Sequence, residues 1–178
     1  MNDPNTNPDF IDLQSDSYFM HEALRQARRA YAAEEVPVGA VIVRNSQIIA
    51  RAYNQVETLN DATAHAEMLA LTQAESVVND WRLTDCDLYV TKEPCAMCAG
   101  AIIHCRVRRV IFGCPSEKDG AAGSVLNLLQ HEKLNHHCTL TPDVLRDDCA
   151  QLLKSFFTEA RTKPRNPHSR FPPDSHPN

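Results

Sequence analysis

Thr63-Ala64-His65-Ala66-Glu67 and, some thirty residues on, Glu93-Pro94-Cys95-Ala96-Met97-Cys98-Ala99-Gly100 decide how this chain is read. His65 and Glu67 are two residues apart, a spacing that in mid-helix would turn them to nearly opposite sides. They converge only at a helix mouth. Polar Asn60-Asp61-Ala62-Thr63 lies just before them and the helix-forming run Ala64 to Ala74 just after, so His65 is expected in a first turn. Pro94 suits the first turn of a second helix, on which Cys95 and Cys98, at i and i+3, share a face. Two positive helix ends aimed at one point favour thiolate over thiol, the form that binds metal. One imidazole, two thiolates and a neighbouring carboxylate are the parts of a catalytic zinc site, in which three protein ligands leave a coordination position for water. Glu67 is left free to carry protons.

The order H-x-E…P-C-x-x-C resembles the signature of zinc nucleobase deaminases. Further blocks narrow the resemblance: Val36-Pro37-Val38-Gly39-Ala40-Val41, Tyr53-Asn54, Leu88-Tyr89-Val90-Thr91, Ala101-Ile102-Ile103-His104 and Gly120-Ala121-Ala122-Gly123-Ser124. Together they are similar to the bacterial tRNA-specific adenosine deaminases of the zinc-dependent cytidine and deoxycytidylate deaminase superfamily. The likeness runs from about Ser17 to Arg161. It implies hydrolytic deamination of adenosine to inosine at the wobble position of a tRNA anticodon loop. The implied metal is one zinc per subunit on His65, Cys95 and Cys98, with Glu67 as the proton carrier. It also implies that Asn54 holds the base, that Val38 lines its pocket, and that the backbone around Ala66 and Cys95 faces the bound water and base. Lys118 in the following loop and Phe157, of the Phe156-Phe157 pair, are the implied RNA contacts. A homodimer is implied as well, with Ala101 to Arg106 as its interface. One departure stands out: the family usually has an acid two positions before the loop lysine, where this chain has Ser116.

Outside the motifs, 178 residues are about the length of one domain with a substantial core. No apolar run approaches the roughly 18 residues of a membrane span, and Met1 to Asp16 is polar and acidic where a signal peptide would be basic and then apolar. A cytoplasmic protein is expected. Seven cysteines, an odd number, argue against a disulfide framework. Cys138 and Cys149 are read as buried thiols; Cys86 and Cys105, near the motif, are the candidates for a fourth ligand that would close the site. His136 and His137 lack a partner pair at zinc spacing and read as solvated or strand histidines.

The net charge of −5 argues against bulk nucleic-acid affinity. Residues 1–16 carry −4 and residues 161–178 carry +3. Any grip on RNA is therefore local, from clusters such as Arg106-Arg108-Arg109 and the tail.

Taken in order, residues 1–16 read as a flexible acidic arm. The deaminase domain follows over 17–161, and 162–178 read as a disordered, proline-rich basic tail. Met20, Ala23, Leu24, Ala27 and Tyr31 mark an amphipathic helix from Ser17 to near Ala33. Val38 to Val43 and Ile48 to Tyr53 form a hairpin around Arg44-Asn45-Ser46-Gln47. Asp87 to Thr91 and Val107 to Gly113 are further strands, and His137 to Leu140 a fifth. Ser124 is expected to cap a short helix, Val125 to Gln130. Thr141-Pro142-Asp143 is expected to start a helix running to Arg161. This alternation predicts an α/β fold: three layers, α/β/α, around a mixed sheet of about five strands. The resemblance makes it cytidine deaminase-like.

Two other functions share parts of the pattern. A deaminase of a free base or nucleotide, of guanine or cytosine type, has the same zinc motif and suits the acidic body. A noncatalytic zinc module would need four protein ligands where three are evident.

Overall fold

Ser15 opens the first helix by accepting the Tyr18 backbone N–H on its hydroxyl at 3.1 Å, so α1 spans Asp16–Ala32. In this computed structural model the described residues are Asp12 and residues 14–162. The remainder of the expected arm, and the expected tail from 163, lie outside them. The arm boundary itself moves: Asp16 belongs to α1, and its carboxylate takes both Arg109 guanidinium nitrogens, at 2.6 and 3.0 Å, and the Tyr89 hydroxyl at 2.8 Å. At the other end Thr162 is still helical.

The hairpin forms where expected. Strands β1 (Gly39–Arg44) and β2 (Gln47–Tyr53) are joined by Asn45 and Ser46, both at positive φ, the conformation that matches the strands' twist in a two-residue turn. A single-turn helix, α2 (Val56–Leu59), follows, and then α3 (Ala66–Val78), β3 (Cys86–Lys92), α4 (Ala96–His104), β4 (Arg109–Cys114), β5 (Thr139–Thr141) and α5 (Arg146–Thr162). The sheet order is β2-β1-β3-β4-β5. Strand β1 is antiparallel to both neighbours, while β3, β4 and β5 run parallel. The mixed five-stranded sheet of the sequence reading is what forms.

Alternation along the strands builds two cores. Ala40, Ile42, Leu88, Val90, Val110 and Phe112 face α3 and α4, while Val41, Val43, Tyr89 and Ile111 face α1 and Cys149 of α5. Ala66, Ala70 and Ala74, four residues apart, give α3 a smooth face that lies close on the sheet. Gly39 is required at the start of β1, because a Cβ there would collide with the α1 backbone at Ala23 and Ala27.

Two expected helix starts do not form. Val125 to Gln130 is a series of turns: Gly123 has φ of 137° and donates to Leu126 at 2.9 Å, and the Ser124 hydroxyl binds Glu93 instead of capping. Pro142 does not begin α5, since Asp143 and Leu145 adopt positive φ, which breaks a helix before Arg146. The arginine cluster is largely consumed by the fold. Arg108 pairs with Asp87 through two bonds of 2.9 Å, Arg109 with Asp16, and Arg106 donates to Asn135.

Candidate active site

The mouths of α3 and α4 meet at the C-terminal end of β3. His65 is the N-cap residue of α3 and Cys95 that of α4, each with extended backbone and neither spending its side chain on a cap. Both therefore lie just before the first turn in which the sequence placed His65. Cys98 and Glu67 follow inside those first turns. His65 Nδ1 lies 3.7 Å from Cys95 Sγ and 3.5 Å from Cys98 Sγ, and the three ligand atoms all fall within 4.8 Å of one another. Tetrahedral zinc with bonds of about 2.0 Å to nitrogen and 2.3 Å to sulfur separates such atoms by roughly 3.6 Å. The donor set fits zinc as it stands.

Among the described residues no fourth donor joins this group. Cys105 donates to Glu75 at 3.0 Å and Cys86 lies against Asp85 at 3.6 Å, so neither closes the site. His136 and His137 contact the Val107 and His131 carbonyls. The three sulfur and nitrogen ligands share charge unevenly. Bonds from Cys98 and His65 pull the Cys95 thiol down to about 4, whereas the bond to Cys95 and burial push Cys98 up. The same contact with Cys95 raises His65.

Beside the group, Glu67 is only 4% exposed, and burial raises its carboxyl above the usual range. It lines a cavity of about 340 Å³, within the range of small-molecule sites, together with His65 and Cys95. Asn54 and Val38 form part of another wall, the Asn54 backbone N–H donating to the Val38 carbonyl at 3.0 Å. Phe157, 44% exposed, stands on the cavity wall.

Other expected contacts fall elsewhere. Ala66 is fully buried and does not line the cavity. Lys118 is exposed and does not line it either; the lysine that does is Lys92, at the end of β3. Lys92 pairs with Asp119 at 2.9 Å, and Ser116, in the place where an acid was expected, donates its hydroxyl to the same Asp119. The cavity thus regains an acid three residues later.

Among the lining residues that were not anticipated, five are charged: Glu35, Glu57, Lys92, Glu93 and Asp119. Glu35 stands directly before the Val36-Pro37 block and Glu93 directly before Pro94-Cys95, so adjacency to the motifs was the available clue.

Residues 13–114 match the family model for the cytidine and deoxycytidylate deaminase zinc-binding region. The chain is 45% identical over 151 residues to the tRNA-specific adenosine deaminase of Bacillus subtilis, covering 85% of this chain and 94% of that one. Among solved structures, one from a study of A-to-I editing by tRNA:A34 deaminases at the wobble position superposes with a TM-score of 0.74. It is 38% identical and covers 76% of this chain and 99% of its own. A guanine deaminase from Nitrosomonas europaea superposes with a TM-score of 0.72 at 26% identity, covering 81% of this chain and 85% of its own.

Proposed function

The chain belongs to the cytidine and deoxycytidylate deaminase zinc-binding family and, within it, to the tRNA-specific adenosine deaminases, and from that membership we propose that it converts adenosine to inosine at the wobble position of tRNA anticodon loops. The observation that carries this reading is the pairing of an open three-ligand group with the buried Glu67 in one nucleobase-sized cavity. A structural zinc module closes its coordination with a fourth protein ligand.

Zinc held by His65, Cys95 and Cys98 would lower the pKa of a water from about 15.7 to about 7 and so would supply a nucleophile at neutral pH. Glu67 would accept one proton from the attacking water and deliver it to N1 of the adenine, then take the remaining proton from the new C6 hydroxyl and pass it to the amine, so that the C6–N bond breaks as the C6 carbonyl forms. Water enters at C6, ammonia leaves, and inosine remains. Positioned proton transfer of this kind contributes typically 10²–10⁴-fold. Asn54 hydrogen-bonds the base and Val38 packs against it, with the backbone at Cys95 toward the reacting face. Loop nucleotides suit such a cavity because they are unstacked at low cost. Phe157 stacks on a neighbouring base, and Lys118 meets the RNA outside the cavity. Basic groups near the C-terminus, Lys163, Arg165 and Arg170, add local attraction to the phosphate backbone.

The working unit is a homodimer that uses Ala101 to Arg106, and its compartment is the cytoplasm. Among the described residues no helix is long and apolar enough to cross a membrane.

The guanine deaminase reading rests on a shared fold. It is disfavoured by lower identity, 26% against 45% for the B. subtilis relative. Incubating the purified protein with total tRNA and sequencing for A-to-I changes tests the proposal. An anticodon stem-loop compared with free adenine, guanine and cytosine completes it. Inosine at the first anticodon position is expected; ammonia from free guanine with unchanged RNA overturns it. Sedimentation of the zinc protein decides the dimer.

A further inference from the structure

Glu93, directly before Pro94-Cys95, is a carboxylate only 2% exposed that the deamination chemistry does not consume. Its two oxygens receive four donors. Oε2 accepts the Ser116 backbone N–H at 2.8 Å and the Ser124 hydroxyl, and Oε1 accepts the backbone N–H groups of Ala122 at 2.9 Å and Ser124 at 3.1 Å. All four come from the one loop, 115–124, that leaves β4. Gly120 sits where any side chain would strike the Glu93 carboxylate.

The same loop is joined to the mouth of α4 by its backbone. Ala121 N–H donates to the Pro94 carbonyl at 2.8 Å, and Cys95 and Gly120 form a bridge. The loop also carries Asp119 into the cavity wall, facing Lys92. A metal-ligand segment and a substrate-facing loop therefore share one buried anchor.

We propose that Glu93 is a positioning residue: its carboxylate clamps loop 115–124 to the Cys95 end of α4, so that the metal ligand and the cavity wall hold one relative geometry during deamination. This rests on the deaminase reading. The donor pattern explains why a carboxylate stands there. Three of the four partners are backbone N–H groups, which only donate, so the anchor must accept at both ends. A glutamine cannot. With its oxygen toward Ala122 and Ser124, its NH₂ faces the Ser116 N–H; turned over, it faces two N–H groups. In its better orientation, Glu93→Gln frees the Ser116 end of the loop while the Ser124 hydroxyl reverses to accept.

The test compares full-length zinc protein as wild type, Glu93→Gln and Ser124→Ala by amide hydrogen exchange, the visible spectrum after cobalt substitution, and kinetics on an anticodon stem-loop. For Glu93→Gln the expected result is one bound metal and a folded chain, with the Ser116 amide exchanging at least tenfold faster than wild type, the Ala122 and Ser124 amides, which keep their acceptor, changing less, and the β1 amides unchanged. The cobalt bands shift. The kcat/KM falls about 10²-fold, the scale of a misplaced reacting geometry, with kcat carrying most of it. Ser124→Ala, which removes one donor of four, gives a smaller change of the same kind. Unaltered exchange and cobalt spectrum in Glu93→Gln overturn the proposal, whether or not activity falls. If that variant does not fold, Ser124→Ala decides: faster exchange at Ser116 and Ala122 supports the clamp, and wild-type exchange overturns it. Wild-type protein inert on RNA defeats the functional reading alone, because exchange and the cobalt spectrum still judge Glu93.

Discussion

The Asn54 side-chain nitrogen donates to Glu35 Oε2 at 3.1 Å inside the cavity wall. Glu35 is fully buried, and its other oxygen accepts the Thr58 backbone N–H at 2.7 Å and the Thr58 hydroxyl at 2.8 Å. A carboxylate only accepts, so the Asn54 amide has one orientation, and the group proposed to hold the base is set before substrate arrives. Glu35→Ala leaves buried donors unpaired. It is expected to cost about 1–3 kcal/mol in thermal unfolding and to lower kcat/KM on the stem-loop by roughly tenfold or more. A variant as active as the wild type shows that Asn54 needs no such support.

Metal content separates the cysteines. His65→Ala, Cys95→Ala and Cys98→Ala each remove one of three ligands and are expected to lose zinc on dialysis. Cys86→Ser and Cys105→Ser keep one equivalent, because both thiols are engaged with carboxylates elsewhere. Atomic absorption on the five purified proteins measures this. Zinc lost from Cys105→Ser would put a fourth ligand back into the site.

Glu67 is predicted to be needed for turnover and not for the metal. Glu67→Gln keeps the volume and the buried contacts of a side chain 4% exposed, so zinc and fold are retained. The kcat falls by at least about 10²–10⁴, the usual share of general acid–base catalysis. Near-wild-type deamination by this variant removes Glu67 from the proton path.

How much of this was legible in the chain differs from place to place, for physical reasons. Val41 and Val43 alternate with Ala40 and Ile42, so the period of two announced β1 and both its faces. His65, Cys95 and Cys98 were readable because metal ligation demands fixed residue types at fixed spacing. The turns after Gly123 were not readable, since what prevents a helix there is Glu93, some thirty residues earlier, taking the Ser124 donors. The start of α5 was hidden because Asp143 and Leu145 are not residues whose identity forces positive φ. Lys92 was not readable as a lining residue because a strand end and a loop converge on the cavity only in three dimensions.

The Asp16 carboxylate gives the fold an acid-sensitive tie. Partial burial works to raise it, but the bonds from Arg109 and Tyr89 outweigh that and hold it below its ordinary value of 3.8. A carboxyl depressed in the folded state contributes fully above its unfolded pKa, and the contribution is lost as pH falls through the folded one. Asp16→Asn is therefore expected to be less stable than the wild type by about 1–2 kcal/mol at pH 7, a charged bidentate pair discounted for exposure. The two proteins should converge from about pH 3.8 downward. Paired urea titrations in steps from pH 7 to below 3.8 measure it, and a gap that does not narrow as the pH falls below 3.8 assigns the effect to lost packing instead.

Lys92 and Asp119 bear on how a polyanion reaches an acidic cavity. Glu35, Glu57, Glu67, Glu93 and Asp119 line it, and Lys92 is the one lysine or arginine among the described lining residues. The pair's side chains are 27% and 49% exposed, so its strength is at most about 1 kcal/mol and a phosphate can take Asp119's place on the ammonium. Lys92→Met then removes one cation that RNA would engage. The KM for an anticodon stem-loop should rise several-fold at low salt with kcat little changed, and the slope of log KM against log salt should flatten by about 0.7–1, the share of a single phosphate contact. Asp119→Asn frees the lysine and should lower KM at the same salt. If Lys92→Met keeps the wild-type slope, the ammonium serves Asp119 alone and the loop's position, not its charge, is what the pair provides.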